Sequence, residues 1–250
     1  MIAIFAFIFG SVYGSFLNVL IYRMPEEVSV VKPRSFCPHC KKPIPWFRNI
    51  PLITFILQAG KCAECKHRIS FRYPAVEALT GFFWVWAFVQ YPPAEALLFI
   101  LMTGFLTVIS FVDWQEFIIP LSMVISSVLS LLIYHIWIQT AYMDALWGIA
   151  AGVGYLGGMM LLTSVLFRKQ TMGWGDLQLI ALLGAWLGVM NILVTVLAGA
   201  ITALAAWSVI SSLKGFDRER PLPFGPFLSF SGIIIYMLDM DWLGMMEYFF

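Results

Sequence analysis

Two groups of residues in this sequence have types and spacings that could support chemistry: four cysteines and two aspartates. The cysteines form two C-x2-C pairs, Cys37 with Cys40 and Cys62 with Cys65, with 21 residues between the pairs. Each pair places two thiolates at about the separation that a tetrahedral zinc ion needs, and the interval is close to that of known zinc sites of this kind. The spacing therefore predicts a four-cysteine zinc site.

Such a zinc ion would have a structural role, because four protein ligands leave no coordination position for a substrate. The polar segment that contains the cysteines is short, and a closed metal site would supply folding free energy that so small a core lacks. His39 and His67 lie beside the two pairs and are alternative ligands. The other interpretation is that the cysteines form two disulfide bonds.

The two aspartates lie at the ends of separate apolar segments. Asp113 closes one segment, in ISFVDWQEFIIP, and Asp176 opens another, in MGWGDLQLIALLG. An ionisable group at the edge of hydrocarbon is costly and usually marks function. Two carboxylates held close together share a proton, so that one can activate a water while the other protonates a scissile carbonyl. The pattern predicts an aspartic-protease type of catalytic pair.

A non-catalytic interpretation of the aspartates is also open. Each aspartate could cap the N-terminus of a helix or pair with a nearby cation such as Arg168 or Lys169. Gly173 and Gly175 favour the catalytic interpretation, because glycine lacks a Cβ and lets backbone and substrate approach the carboxylate of Asp176.

Apolar helices must position these residues. The chain is 61% hydrophobic and 12% charged, whereas about a quarter of the residues in soluble domains are charged. Its apolar segments reach or approach the ~20 residues that span a bilayer, which predicts an all-α polytopic membrane protein with about eight transmembrane helices. The sixth and seventh helices are expected to meet near Asn191. The predicted spans are residues 2–22, 75–91, 96–112, 117–138, 145–167, 177–190, 192–213 and 226–238.

The cations predict the orientation of these spans. When the spans alternate in direction, all 15 Lys and Arg residues fall in the connections on one side, which the positive-inside rule places in the cytoplasm. Both aspartates and the cysteines lie on that side, where reducing systems favour zinc over disulfides. We expect three parts: residues 1–22, the first transmembrane helix; residues 23–74, a cytoplasmic zinc-knuckle insertion; and residues 75–250, a seven-helix membrane domain. A net charge of +1 predicts no nucleic-acid partner.

Seven motifs in this chain, taken in order, resemble those of the bacterial type IV prepilin peptidase family. The resemblance covers nearly the full length, and the cysteine insertion is typical of the family's bacterial branch. The matching segments are GSFLNVLIYRMP (14–25), CPHC with the following IPWFRNIPLI (37–53), CAEC (62–65), ISFRYPAVEALTG (69–81), the D-x6-P segment (113–120), GWGD (173–176) and PFGPFL (223–228).

The resemblance implies an aspartic endopeptidase of the bacterial inner membrane, with Asp113 and Asp176 as the catalytic residues. Its partners would be the lipid bilayer and type IV prepilins or type II secretion pseudopilins, whose basic leader it would cleave after a glycine on the cytoplasmic side. Many bacterial members also methylate the new N-terminus with S-adenosylmethionine. No glycine-rich nucleotide loop in the sequence indicates where that cofactor would bind.

Three further positions bear on the predicted site and the cysteine insertion. Gln178 stands where the family commonly has a lysine, and Leu121 where it frequently has an aspartate, so both remove charge near the predicted site. Glu77, in YPAVEALT, could contact the basic leader, support the zinc insertion, or be a solvated acid at a helix start.

Two other functions compete with the peptidase. A transporter could use the carboxylates as a proton or cation relay, although transporters usually place such groups near the bilayer midplane. A non-catalytic assembly scaffold could use the zinc insertion to bind partners.

Overall fold

The computed structural model of the protein describes residues 1–139, 142–168, 173–217 and 221–238. Every regular element in these ranges is helical, with one short 3-10 turn, Trp46–Arg48, and no β-strand. Lys169 and the tail after Leu238, which was expected on the outer side, lie outside the described residues. The helices are α1 (Ile2–Arg23), α2 (Ile53–Leu57), α3 (Arg72–Gln90), α4 (Pro93–Glu116), α5 (Leu121–Ile138), α6 (Met143–Phe167), α7 (Trp174–Lys214) and α8 (Gly225–Leu238).

The predicted fold class, an all-α multi-pass membrane protein with a cysteine insertion after the first helix, is confirmed. Within the described ranges, five helices are long and apolar enough to cross a membrane, namely α1, α4, α5, α6 and α7, and α8 is a shorter apolar helix. The predicted spans fall on α1 and on α3 to α8. Large apolar side chains on α5 and α6, such as Ile136 and Val165, are exposed, as expected for helices that face lipid.

The sixth and seventh predicted spans both lie on α7, which has 41 residues. Its helical path is interrupted at Gly188, whose φ of 74° and ψ of −179° are non-helical. We expected the break near Asn191; it occurs slightly earlier because a positive φ is a conformation that glycine adopts without steric cost.

The chain forms two compact units, Met1–Val108 and Ile109–Phe250. In the first unit, α1 and α3 cross with almost no space between their backbones. A Cβ on Gly14 would lie 2.9 Å from the Glu77 Cα and would also collide with the Thr80 hydroxyl. Small residues allow this close approach between membrane helices. Beyond the crossing, the Asn18 side-chain amide donates a 3.1 Å hydrogen bond to the Tyr73 carbonyl, which ties the two helices together.

In the second unit, α7 packs against α6 and α8. A Cβ on Gly148 of α6 would collide with the carbonyl oxygen of Gly184 on α7, and the reverse is also true. Gly199 of α7 lies against Leu228 of α8, where an added Cβ would be 3.2 Å from the leucine side chain. Glycine is therefore required at specific helix crossings, whereas Gly154 of α6 has open space around it.

We predict that Gly14→Ala lowers the free energy of unfolding by about 1–3 kcal/mol, because the new methyl group must push apart the backbones of α1 and α3. Gly154→Ala is the matched control. It should leave stability unchanged or raise it by up to about 1 kcal/mol, because alanine is the better helix former. Thermal unfolding of the purified variants in detergent measures both effects, and equal melting temperatures would contradict the packing argument.

Candidate active site and metal centre

Asp113 lies in the last turn of α4 and is buried, with 6% of its surface exposed. Its Oδ2 accepts a 3.0 Å hydrogen bond from the backbone N–H of Gly225, the first residue of α8. A Cβ on Gly225 would lie only 2.6 Å from that oxygen, so the contact depends on glycine. Beside it, the rings of Trp114 and Phe227 pack edge to face with centroids 6.3 Å apart.

Asp176 lies in the first turn of α7, after Gly173, which has an extended backbone and precedes the helix. The positive end of the helix dipole favours a negative charge at this position. Gly173 also leaves space beside the carboxylate, since a Cβ there would be 3.7 Å from Oδ2 of Asp176.

A packing contact between the segments that carry the two aspartates brings them together. A Cβ on Gly175, next to Asp176, would lie 3.2 Å from the side chain of Ile119, which follows α4. The start of α7 therefore rests on the connection that leaves Asp113, and the two carboxylates interact electrostatically. The arrangement has the elements of an acid–base pair: two carboxylates from non-adjacent helices, one of them held by a backbone N–H.

The non-catalytic interpretation explains Asp176 better than Asp113. Asp176 does occupy the first turn of a helix. Asp113 is at a C-terminal end, where the helix dipole disfavours a carboxylate. Among the residues that the structure describes, Arg168 included, neither aspartate has a salt-bridge partner. Nothing in the described part of the chain thus neutralises Asp113.

Sequence reasoning missed two residues of this site, Gly225 and Ile119. Gly225 is in the PFGPFL motif, where a glycine between two prolines marks a backbone with special requirements. That signal identified the segment but not the residue that it contacts. Ile119 had no distinguishing signal, because one isoleucine in an apolar connection resembles any other.

The four cysteines form one cluster in the first unit. The thiols are free, and the four Sγ atoms lie within 4.8 Å of one another, with Cys37 and Cys65 3.9 Å apart. The predicted ligands are thus brought together from both pairs, and the disulfide alternative is not formed. In the described part of the chain, this is the one group of metal-ligating side chains close enough to hold an ion.

Short backbone turns build the two halves of the cluster. Isolated bridges pair Phe36 with Pro43 and Lys61 with Arg68, so each C-x2-C pair sits in its own tight loop. Backbone N–H groups of Cys65 and Glu64 lower the pKa of the Cys62 thiol to about 7. At Cys62 the thiolate, which is the form that binds metals, is therefore accessible near neutral pH.

Side chains around the cluster stabilise it without joining it. Glu64, inside the second pair, accepts hydrogen bonds of 3.1 Å from both Lys42 and Arg48 of the first loop. The pKa of Glu64 is lowered by these partners, Lys42 first. His39 and His67, the alternative ligands, stack on each other with ring centroids 4.2 Å apart and do not belong to the metal-ligating group.

Glu77 is not a solvated acid, because it is 7% exposed. Its Oε2 accepts a 2.8 Å hydrogen bond from the backbone N–H of Leu52. Leu52 has a φ of 60° and a ψ of −50°, a conformation that is strained for a residue with a side chain. Of the expectations for Glu77, this contact supports the one in which it holds the cysteine insertion in place.

Known proteins resemble the chain over nearly its whole length. Residues 8–91 match the bacterial peptidase A24 N-terminal domain, and residues 100–208 match the type IV leader peptidase family. A protein of Neisseria gonorrhoeae is 34% identical to the chain, covering 92% of the chain and 88% of its own length. The chain belongs to the type IV leader peptidase family.

Other relatives agree with this family. A protein of Stutzerimonas stutzeri is 32% identical over 91% of the chain and 87% of its own length. A protein of Pseudomonas aeruginosa is 31% identical over 90% of the chain and 86% of its own length. All three relatives are named prepilin leader peptidase/N-methyltransferase. No solved structure matches the chain.

Family membership confirms the resemblance predicted from the seven motifs, and with it the prediction of a leader peptidase. The segment that matches the leader peptidase family contains both aspartates. The segment that matches the N-terminal domain contains the four cysteines and Glu77. The roles of individual residues stay predictions.

We predict that Gly225→Ala slows cleavage of a prepilin by roughly tenfold or more, because the added methyl group displaces the carboxylate of Asp113. Gly158→Ala on α6, where a Cβ meets nothing within 4 Å, is the control and should cleave normally. Conversion of prepilin to the shorter form on a gel measures both. Normal cleavage by Gly225→Ala would show that this hydrogen bond does not position Asp113.

Proposed function

We propose that this protein is an aspartic endopeptidase of the bacterial inner membrane that removes the leader from type IV prepilins or pseudopilins. We assign Asp113 and Asp176 as its catalytic pair. The observation that carries the proposal is the packing of Gly175, next to Asp176, on Ile119, which follows the helix that carries Asp113. The two carboxylates interact electrostatically, and the Gly225 N–H donates to the buried one.

In this mechanism the two carboxylates share one proton, because neighbouring like charges oppose double ionisation. The ionised carboxylate removes a proton from a water molecule, whose oxygen attacks the carbonyl carbon of the scissile peptide bond. The protonated carboxylate donates its proton to the carbonyl oxygen. When the tetrahedral intermediate collapses, the ionised carboxylate takes a proton from a hydroxyl of the intermediate and the other carboxylate gives its proton to the leaving amine, so the pair again holds one proton. The Gly225 N–H fixes the orientation of Asp113 throughout.

The placement of charge supports an active site on the cytoplasmic side. All 15 cations fall in connections on the same side as the two aspartates and the cysteines, and the positive-inside rule assigns this side to the cytoplasm. A substrate with a basic leader and an apolar helix meets the membrane edge on that side.

We assign a structural zinc ion to the cysteine cluster. With a Zn–S distance of about 2.3 Å, two sulfurs of a tetrahedral site lie about 3.8 Å apart. The 3.9 Å between the sulfurs of Cys37 and Cys65 fits that value. The metal would hold together a polar segment that has few buried apolar residues of its own.

We further propose that the protein methylates the N-terminus that cleavage exposes, with S-adenosylmethionine as the methyl donor. The combined name of the relatives supports this second activity. The separate match of residues 8–91 to a different domain family supports a location for it in the first unit.

Replacing either aspartate tests the peptidase. Asp113→Asn and Asp176→Asn should each lower the rate of prepilin cleavage by at least about a hundredfold, because an amide can neither accept nor share the catalytic proton. Asp144→Asn changes an exposed acid at the start of α6 and should cleave normally. Cleavage by either variant at the wild-type rate would refute the mechanism. If the variant with both aspartates replaced by asparagine still assembled pili, the result would favour a non-catalytic assembly scaffold.

Elemental analysis tests the zinc site. The purified wild-type protein should contain about one zinc per chain, and Cys62→Ser should lose it, because three thiolates bind zinc much more weakly than four. His39→Ala should retain the metal, since that ring lies outside the cluster. Metal-free wild-type protein with all four thiols oxidised in living cells would overturn the assignment.

A further inference from the structure

The cysteine insertion between α1 and α3 carries six aromatic, isoleucine or leucine side chains that expose half or more of their surface. We call this group the apolar patch, and its members are Trp46, Phe47, Ile53, Ile56, Leu57 and Phe71, with exposed fractions from 51% for Phe47 to 79% for Leu57. The rings of Trp46 and Phe47 contact each other edge to face, with centroids 5.9 Å apart. Single exposed apolar residues are common on proteins, whereas a group of this size indicates an interaction surface.

The short helix α2 turns its apolar residues outward and its polar residues inward. Ile53, Ile56 and Leu57 are three and four positions apart, so they share one face of the helix, and all three are exposed. The other face carries Thr54, Phe55 and Gln58, which line a cavity of about 560 Å³ within the first unit. A helix on a water-facing surface has the reverse arrangement, with its apolar face turned inward. The outer face of α2 is therefore suited to an apolar environment.

Two contacts hold α2 beside the start of α3, a predicted membrane span. The ring of Phe55 packs edge to face against that of Phe71, the residue directly before α3, with centroids 6.5 Å apart. The backbone N–H of Leu52, the residue directly before α2, donates a 2.8 Å hydrogen bond to Glu77 in the early turns of α3. Phe82, farther along α3, is also exposed, as lipid-facing side chains are. The apolar patch thus continues into the surface that α3 presents to lipid.

The charge around the apolar patch is strongly positive. Residues 23–73 contain ten Lys and Arg residues and three Glu residues. Lys61, Lys66 and Arg68, which follow α2 closely in the chain, are all exposed. Clusters of cations next to a membrane span are attracted to acidic phospholipids, and tryptophan side chains such as that of Trp46 are enriched where headgroups meet hydrocarbon. Charge and apolar surface together fit the face of an acidic bilayer.

We propose that the apolar patch lies in the headgroup region of the bilayer and that the cations of the cysteine insertion bind acidic phospholipids there. The inference rests on the membrane topology proposed above and requires neither enzymatic activity. The same positive charge opposes docking of a basic prepilin leader on this surface, which favours lipid as the occupant. The insertion is thereby anchored to the membrane surface through α2, as interfacial helices are.

Photo-cross-linking of the full-length protein in lipid vesicles tests this anchoring. The photoreactive residue p-benzoylphenylalanine is placed at position 56 or, as the matched control, at position 39. Ile56 belongs to the apolar patch, whereas His39 is exposed but lines the cavity toward which α2 turns its polar face. In vesicles of phosphatidylethanolamine and phosphatidylglycerol, irradiation should give at least about fivefold more lipid adduct at position 56 than at position 39, measured by mass spectrometry.

Changes to the patch and to the lipid test the two parts of the proposal. With the probe at position 53, Ile56→Asp combined with Leu57→Asp should lower the yield of lipid adduct by about threefold or more, because charged side chains are costly in hydrocarbon. Ile56→Leu combined with Leu57→Ile keeps the apolar face and should keep the yield. Vesicles without phosphatidylglycerol should give about half the adduct or less at position 56, because the cations then lose their acidic partners.

Several outcomes would overturn the anchoring. These are equal lipid adducts at positions 56 and 39, no lipid adduct at position 56, and adducts at position 56 to a second copy of the chain or to added prepilin instead of lipid. An adduct yield that does not depend on phosphatidylglycerol would refute the binding of acidic phospholipids. Gel analysis of added prepilin in the same vesicles reports cleavage separately, so intact cleavage without lipid adducts refutes the anchoring and leaves the peptidase standing.

Discussion

The hydrogen bond from the Gly225 backbone to Asp113 is the contact on which the arrangement of the second unit depends. A carboxylate at the end of an apolar helix is unfavourable in two ways, because it is buried and because it lies at the negative end of the helix dipole. A backbone N–H offsets part of that cost without placing a second charged side chain beside the carboxylate. This is why the start of α8 must approach α4 so closely, and why the approaching residue has no Cβ.

Glycine residues also allow close contacts between other segments of the molecule. Gly14 lets α1 and α3 meet, Gly148 and Gly184 join α6 to α7, and Gly175 rests on Ile119. In lipid, hydrophobic burial does not select one helix contact over another, so close backbone packing has to do so. Polar groups then act at the ends of the helices, as Asn18 does toward Tyr73 and Glu77 toward Leu52.

Much of this organisation could be predicted from the residues. The positions of the helices follow from the lengths of the apolar segments. The side of the membrane on which each connection lies follows from its cations, because both features can be read from whole segments of the sequence. The cysteine cluster follows from short-range spacing that any folded loop would preserve. The break in α7 was displaced from Asn191 to Gly188 because hydropathy locates a turn only to within a few residues, whereas backbone conformation selects the glycine. The contacts of Gly225 and Ile119 were beyond prediction, because each joins segments distant in sequence whose partners depend on the packed bundle.

The interruption of α7 has a mechanical consequence. Because Gly188 breaks the helical path, the direction of the segment that begins at Trp174 is set by its crossing with α6, where Gly184 packs against Gly148. Asp176 stands eight residues away, a lever arm of about 12 Å at 1.5 Å per residue. A change of only about 10° in the angle of that crossing would move the carboxylate by roughly 2 Å, more than the catalytic role proposed for Asp176 would tolerate. The position of Asp176 is thus set about two helical turns away from it, where two glycines, Gly148 and Gly184, let α6 and α7 touch.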